Sequence, residues 1–262
     1  MRLRTACSAV ALAMLVSLLS LTVPLSAQAQ NALRLAPSPG PTPGNNAYVN
    51  FGTPAPLGLS TFTIETWFKR QGTGVGNTTG TGGIASLVPL IAKGAAEADG
   101  SNVDANYILG IDTATNVIAA DFEQTEKNCT GGTGNCTTPP FGANCTCTVN
   151  ADCQSVVCNA TTGLNRPLSG VTTIVNGVWY HAAATYDGSN WKLYLNGTLE
   201  NSASFISVTP RSDSIQPAGL GTMQKSTGIP PAQALGFFDG TLEEARIWNV
   251  ARTQTQIRST MN

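Results

Sequence analysis

Charge is what this sequence has least of. Asp, Glu, Lys and Arg make up 11% of its 262 residues, against about 25% in typical soluble domains. Helix surfaces are normally covered by Lys and Glu, so so few charges argue against a mainly helical protein. The net charge of −1 offers no broad attraction to nucleic acid or to an anionic membrane, and neither is expected as a partner. His181 is the single histidine, so any Ser-His-Asp triad would have to be built on it. Past residue 29 no apolar run approaches the about 20 residues of a membrane helix; the longest, Ile84 to Ala92, contains Pro89. Turn formers are plentiful instead, with 27 Gly and 15 Pro. Such a chain is expected to fold as short apolar strands joined by many turns, and its length fits one large all-β domain of roughly 200–250 residues.

Residues 1–29 read as a secretory signal peptide. Arg2 and Arg4 precede an apolar stretch from Val10 to Leu21, and Ala27-Gln28-Ala29 supplies small residues where a signal peptidase cuts. Cleavage after Ala29 would leave residues 30–262 and shift the net charge from −1 to −3, because Arg2 and Arg4 depart. The expected location is extracellular, or periplasmic in a Gram-negative source. Cys7 leaves with the leader, and the other six cysteines are Cys129, Cys136, Cys145, Cys147, Cys153 and Cys158. An even number crowded together in an exported chain reads as disulfides, with the connectivity open. Zinc is the competing ligand, but the spacings are not C-x₂-C pairs and no His lies nearby.

Along the chain, Pro37 to Pro43 is an exposed turn or loop, since Pro cannot donate to a sheet ladder. The clearest alternation runs from Thr61 to Lys69. It places Phe62, Ile64 and Phe68 on one strand face and Glu65, Trp67 and Lys69 on the other. Apolar runs follow at Ile84–Ala92, Tyr107–Ile111 and Val117–Phe122. Strands are expected at Val178–Tyr186, Trp191–Leu195 and Leu242–Trp248, with turns at Asp187–Asn190, Asn196-Gly197 and Asp239-Gly240. Only Thr253 to Met261 has a helical pattern, a weak one. Many short strands with Gly-rich turns imply a two-sheet antiparallel sandwich or jelly roll.

Three segments resemble one family. Phe62-Thr-Ile-Glu-Thr-Trp-Phe-Lys69 is similar to the early "FTIEAWVK" strand of LamG-like jelly-roll domains, which have the concanavalin A-like fold. Gly177 to Gly188, continuing to Leu193–Gly197, resembles the "WHHVAATYDG…LYVNG" hairpin of that family, and Phe238 to Asn249 resembles its closing "FDGTIDEVRIYN" strand. The resemblance implies an all-β LamG-like jelly roll over residues 30–262, interrupted by a Cys-rich insertion at about 124–167. Such domains are commonly binding modules. The expected function is therefore a secreted, non-catalytic module that recognises extracellular carbohydrate or a cell-surface protein. The competing classes are a hydrolase with a non-standard site on the same fold and a self-associating structural protein.

Catalytic residues are not found. Family-16 glycosidases share the broad fold and carry a Glu-x-Asp-x-x-Glu or Glu-x-Asp-x-Glu strand, whose carboxylates act together across a sugar bond; no such string occurs here. Sugar binding calls for an exposed ring beside amides or charges. The candidates are Trp67 with Glu65 and Lys69, then Trp191 with Asn190; packing is the competing role for both rings. Trp179 and Trp248 match the family pattern directly and are expected in the core. No cofactor is required. The one ion the resemblance raises is a structural Ca²⁺ held by Glu243 and Asp239 of the closing strand, and the alternative is a turn at Asp239 with Glu243 paired to a surface cation.

Overall fold

The computed structural model describes residues 32–36, 47–125, 127–130, 146–147, 157–159, 165–205, 208–227 and 233–261. In chain order the strands are β1 (Leu33–Leu35), β2 (Val49–Asn50), β3 (Phe62–Arg70), β4 (Leu87–Lys93), β5 (Tyr107–Asp112), β6 (Val117–Asp121), β7 (Lys127–Thr130), β8 (Thr146–Cys147) and β9 (Val157–Asn159). They continue with β10 (Leu168–Thr173), β11 (Trp179–Tyr186), β12 (Asn190–Leu195), β13 (Thr198–Ser204), β14 (Ala218–Leu220), β15 (Met223–Gln224), β16 (Ala234–Leu235) and β17 (Gly240–Trp248). One short helix, α1 (Gln254–Ser259), follows.

Two six-stranded sheets carry the fold, ordered β1-β17-β3-β11-β12-β13 and β10-β6-β5-β4-β14-β2. Every pairing within them is antiparallel; β4-β5-β6 and β11-β12-β13 are neighbours in sequence, while β1-β17, β17-β3, β3-β11, β10-β6, β4-β14 and β14-β2 join distant parts of the chain, as in a jelly roll. The expected all-β sandwich is therefore what the chain forms. Phe62, Ile64 and Phe68 point inward as their alternation predicts and are fully buried. Around Phe62 the rings of Tyr107 and Trp191 lie at 5.0 and 5.7 Å between centroids. Phe122 and Tyr186 extend the aromatic cluster at 4.8 Å.

The expected runs Ile84–Ala92, Tyr107–Ile111 and Val117–Phe122 fall on β4, β5 and β6, and every residue of these strands is buried. A continuous apolar run means that both faces of the sheet are covered. The inner face meets the aromatic core, while Leu87, Ala92, Ile108 and Ala119 pack outward against Ile84 and Ala95 of the adjoining loops and Met223 of β15. Pro89 sits where the β4–β5 register shifts, a place where its missing N–H costs no ladder bond.

The turns at Asp187–Asn190 and Asn196-Gly197 form where expected, whereas the one expected at Asp239-Gly240 does not: Gly240 opens β17, and Asp239 O accepts the Gln71 N–H at 2.9 Å in line with the β3 pairing. Asp187 Oδ1 accepts the N–H groups of Ser189 and Asn190, at 2.9 and 2.6 Å, before β12 returns. Asn196 and Gly197 take positive φ, 49° and 67°, between β12 and β13. Within the Cys-rich segment β7, β8 and β9 form a small three-stranded sheet ordered β8-β7-β9. Cys147 and Cys158 are disulfide-bonded there. The Cys129 backbone stands opposite Cys158 in the β7–β9 register; Cys136, Cys145 and Cys153 lie outside the described residues, as do the leader and Pro37–Pro43. Among the described residues no helix is long and apolar enough to cross a membrane.

Candidate functional site

Alternation along β3 sends Thr63, Glu65, Trp67 and Lys69 to the outside of the first sheet. The β11 register sets Thr185, Ala183, His181 and Trp179 beside them. On the other side β17 brings Trp248, Arg246, Glu243 and Thr241. Simple alternation cannot place Glu243, Arg246 and Trp248 on one face. A register shift between Glu243 and Arg246, with Glu244 at φ 52°, makes the change of parity and leaves Ile247 facing the core.

One half of this outer face is closed by the chain's last residues. Thr253 and Gln256 form a capping box that starts α1, and Ile257 of the helix packs on Ala183 and Tyr194. Arg252, just before the helix, puts Nη1 2.8 Å from Glu65 Oε1 and donates through Nη2 to Gln256 O at 2.6 Å. Trp248 Nε1 donates to the same Glu65 oxygen at 3.0 Å. Glu65 is 0% exposed. The expectation that it faces a sugar is corrected, because α1 and Arg252 seal it in.

The other half of the face is open. Trp67, Lys69, Trp179 and Glu243 are each partly exposed, with Glu243 opposite Trp67 and Trp179 opposite Lys69 in the two registers. The Lys69 ammonium lies 5.0 Å from the centre of the Trp179 ring. Trp67 stands edge-on to His181, 5.4 Å between centroids. His181 is buried, and burial, helped by Arg246 and Arg252, pulls its pKa down to about 4. Glu65 Oε2 is 4.0 Å from His181 Nε2, but Arg252 and Arg246 already meet the charge of that carboxylate, so the imidazole stays neutral. Nothing in this arrangement assembles a nucleophile and base.

Two other candidates move. Trp191 is 0% exposed, faces the core from β12, and donates Nε1–H to Arg166 O at 3.0 Å. It is a packing residue, and no sugar reaches it. Asn190 is tied into its own turn: its Nδ2 donates to Asp187 Oδ2 at 3.0 Å and its Oδ1 accepts from Ser204 Oγ at 3.0 Å. Trp179 and Trp248, expected inside, lie on the outer face instead. Sequence reading passed over Trp179 as a surface ring; its one signal was its place in the same strand phase as His181.

Of the two residues expected to hold Ca²⁺, Asp239 already has a cation beside it. Asp239 Oδ1 is 2.9 Å from Arg34 Nη2, so a guanidinium already supplies the positive charge. Among the described residues neither Asp239 nor Glu243 gathers with further acidic or imidazole ligands. The alternative expected a turn at Asp239 and an ion pair at Glu243; the ion pair observed is that of Asp239 with Arg34, and no turn forms at Asp239.

Comparison with known proteins places this geometry. The sequence profile described as the concanavalin A-like lectin/glucanases superfamily matches residues 146–258, which hold the second and third of the three motifs. That part of the chain thus resembles the LamG-like, concanavalin A-like class that the motifs imply, and the two antiparallel sheets agree with its fold. Among solved structures, the CBM40 of the Ruminococcus gnavus IT-sialidase, bound to alpha2,3 sialyllactose, aligns over 88% of this chain and 98% of that one, at 12% identity and TM-score 0.52. A Bacteroides ovatus protein to which carbohydrate binding has been ascribed aligns over 82% of this chain at 17% identity and TM-score 0.46; this chain spans 44% of its length. Domain 4 of AbnA, a GH43 extracellular arabinanase from Geobacillus stearothermophilus, in complex with arabinotriose, aligns over 82% of this chain and 73% of its own, at 14% identity and TM-score 0.42. At such identities the likeness is one of fold. No curated protein matches the chain.

Proposed function

We propose that this protein is an exported carbohydrate-binding module that takes a glycan on the open half of its first sheet. The carrying observation is that Trp67 and Trp179, on adjacent strands, are both partly exposed between Lys69 and Glu243. Ring faces pack against the C–H side of a sugar while the ammonium and carboxylate meet its hydroxyls. Glu65, Trp191 and Asn190 drop out of the binding set, and Trp179 and Glu243 join Trp67 and Lys69. The fold shared with a CBM40 that is bound to sialyllactose supports the reading and makes sialylated glycans a natural arm of the test. The role we propose is binding.

A glycan array, sialylated and neutral, is the first measurement. Binding to a defined sugar class that falls about tenfold, or about 1.4 kcal/mol, in Trp67→Ala and in Trp179→Ala, with each variant still melting cooperatively, supports the site. A blank array, or binding indifferent to both changes, overturns it and turns attention to a cell-surface protein partner.

A further inference from the structure

Lys93 is the last residue of β4 and is 2% exposed. The register shift between Pro89 and Ile91 changes the parity of the strand's end. Ala92 therefore packs outward, and Lys93, opposite Tyr107, turns to the core side. There its Nζ donates to Ser214 O at 2.8 Å and to Gln216 O at 2.9 Å. An ammonium has three protons to donate, and the third meets no acceptor among the described residues. Among those residues no carboxylate pairs with Lys93 either. Burial pulls its pKa down, and no neighbouring charge pulls it back up. A buried cation without a counter-charge is costly.

Lys93 is also part of the wall of a cavity of about 290 Å³, formed between residues 53–58 and residues 212–215. Ser214, 7% exposed, shares that wall. Its Oγ accepts the Gln216 N–H at 3.3 Å, while its own proton has no acceptor among the described residues. Ser212 and Thr53 add two further hydroxyls. Asp213 is on the wall too, but its side chain is 56% exposed and its Oδ2 lies 3.7 Å from Arg211 Nη1. The walls are braced. Tyr107 Oη donates to Leu57 O at 3.1 Å, and Asn106 holds both the N–H and the C=O of Leu59, at 2.8 and 2.9 Å. On the other side Ile215 N donates to Asn102 O at 2.9 Å.

We propose that this cavity binds a small monocarboxylate, with the carboxylate seated against Lys93. Its two oxygens take the unused protons of the ammonium and of Ser214. One negative charge matches one ammonium, whereas a phosphate dianion would bring a second charge to a wall that already carries Asp213. The cavity has room for more than the carboxylate, and Ile215, 51% exposed, offers the rest of the molecule an apolar contact. Free organic acids and sugar acids share this chemistry, and the test separates them. Lys93 belongs to the second sheet and Trp67 to the outer face of the first, so the inference does not depend on the glycan reading.

The test is an amide NMR titration of the full chain at constant ionic strength, with acetate, D-glucuronate, glucose and inorganic phosphate in turn. The expected result is a saturable shift of the 212–216 amides with a carboxylate and none with glucose. A response to both carboxylates, or to acetate alone, supports the proposal with a free organic acid as sufficient ligand; a response to glucuronate alone supports it with a sugar acid. Lys93→Met keeps the length of the side chain, removes its charge, and is expected to weaken binding about tenfold or more. Thr53→Glu sets a like charge on the exposed wall and is expected to weaken binding in the same way, should the buried variant not fold. Trp67→Ala is expected to leave the titration unchanged. No shift with either carboxylate overturns the proposal, as does binding that survives both Lys93→Met and Thr53→Glu. Loss of the response in Trp67→Ala overturns it by moving the ligand to the tryptophan face. A stronger response to phosphate overturns the choice of a monocarboxylate.

Discussion

Arg252 Nη1 and Glu65 Oε1 stand 2.8 Å apart beneath α1, and this ion pair joins the last segment of the chain to the middle of the first sheet. Both groups are nearly or wholly out of solvent, with Arg252 at 8% exposure. Removing one member of a buried pair leaves the other as an uncompensated charge. Glu65→Ala is therefore expected to cost about 3–5 kcal/mol, measured by urea unfolding, and to loosen α1. A midpoint equal to that of the parent would show that the pair contributes nothing to holding the C-terminal segment.

Phe62 tests the sandwich itself. It is fully buried and touches Tyr107, Trp191, Tyr186 and Phe122, drawn from both sheets. Phe62→Ala is expected to destabilise the protein by about 3–5 kcal/mol, the lost transfer energy plus a cavity that rings from two sheets cannot close. An unchanged unfolding midpoint would mean that the two sheets do not meet at this ring.

Strands with apolar alternation or continuous apolar runs were legible because burial on one face or on both leaves its own period in the sequence. The two tight turns were legible through Asp187 and Asn196-Gly197. β13 was not: Thr198–Ser204 is an edge strand of polar residues, mostly exposed, and without a buried face it has no period to read. The tryptophan face was read half correctly. The outward direction of Trp67 and Lys69 follows from alternation, whereas the closure over Glu65 depends on a bulge at Glu244 and on a helix that returns from the far end of the chain. The shift in β17 that aligns Arg246 and Trp248 with Glu243 leaves no periodic trace.

His181 gives the protein an acid-sensitive element. Its folded pKa of about 4 lies below the ordinary 6.5, through burial and then the nearby Arg246 and Arg252. The unfolded chain therefore binds the proton more readily between those values, and His181 favours the folded state fully above pH 6.5 and loses that contribution as pH falls towards 4, a change of about 3 kcal/mol. Asp121, raised to about 7 by burial against hydrogen bonds from Thr79 and Arg166, acts in the opposite direction over the same range, so the diagnostic is a difference between two proteins. Neither His181 nitrogen has a hydrogen-bond partner, and His181→Phe keeps the contact with Trp67 while removing the proton site. The variant is expected to melt at least as high as the parent at pH 7.5 and to pull further ahead at pH 5. Parallel curves at the two pH values would show that His181 does not titrate as its surroundings dictate.

The Cys-rich insertion offers the sharpest test of where the jelly roll ends and its decoration begins. The expected boundaries, about 124 and 167, include residues that serve the sandwich. Glu123 bridges to Asn165 and Gln124 to Pro210. Asn165 Nδ2 donates to Thr79 O at 2.7 Å, Arg166 N donates to Asp121 Oδ1 at 2.8 Å, and Arg166 O accepts the indole N–H of buried Trp191. Excising residues 126–164, with Thr125 joined to Asn165 through a short Gly-rich turn, removes β7 to β9 and every cysteine after Cys7 but keeps these bonds. The paired backbone at Glu123 and Asn165 means that the cut ends already lie close together. That protein is expected to be soluble and to unfold cooperatively within a few degrees of the parent. Excising 124–167 also strips Asp121 of a donor and Trp191 of its acceptor, unmet buried groups that cost about 1–3 kcal/mol each, and its melting temperature is expected to fall well below that of the shorter excision. Equal melting temperatures for the two deletions would place the border where the sequence first suggested it, and an insoluble 126–164 deletion would make the insertion part of the core.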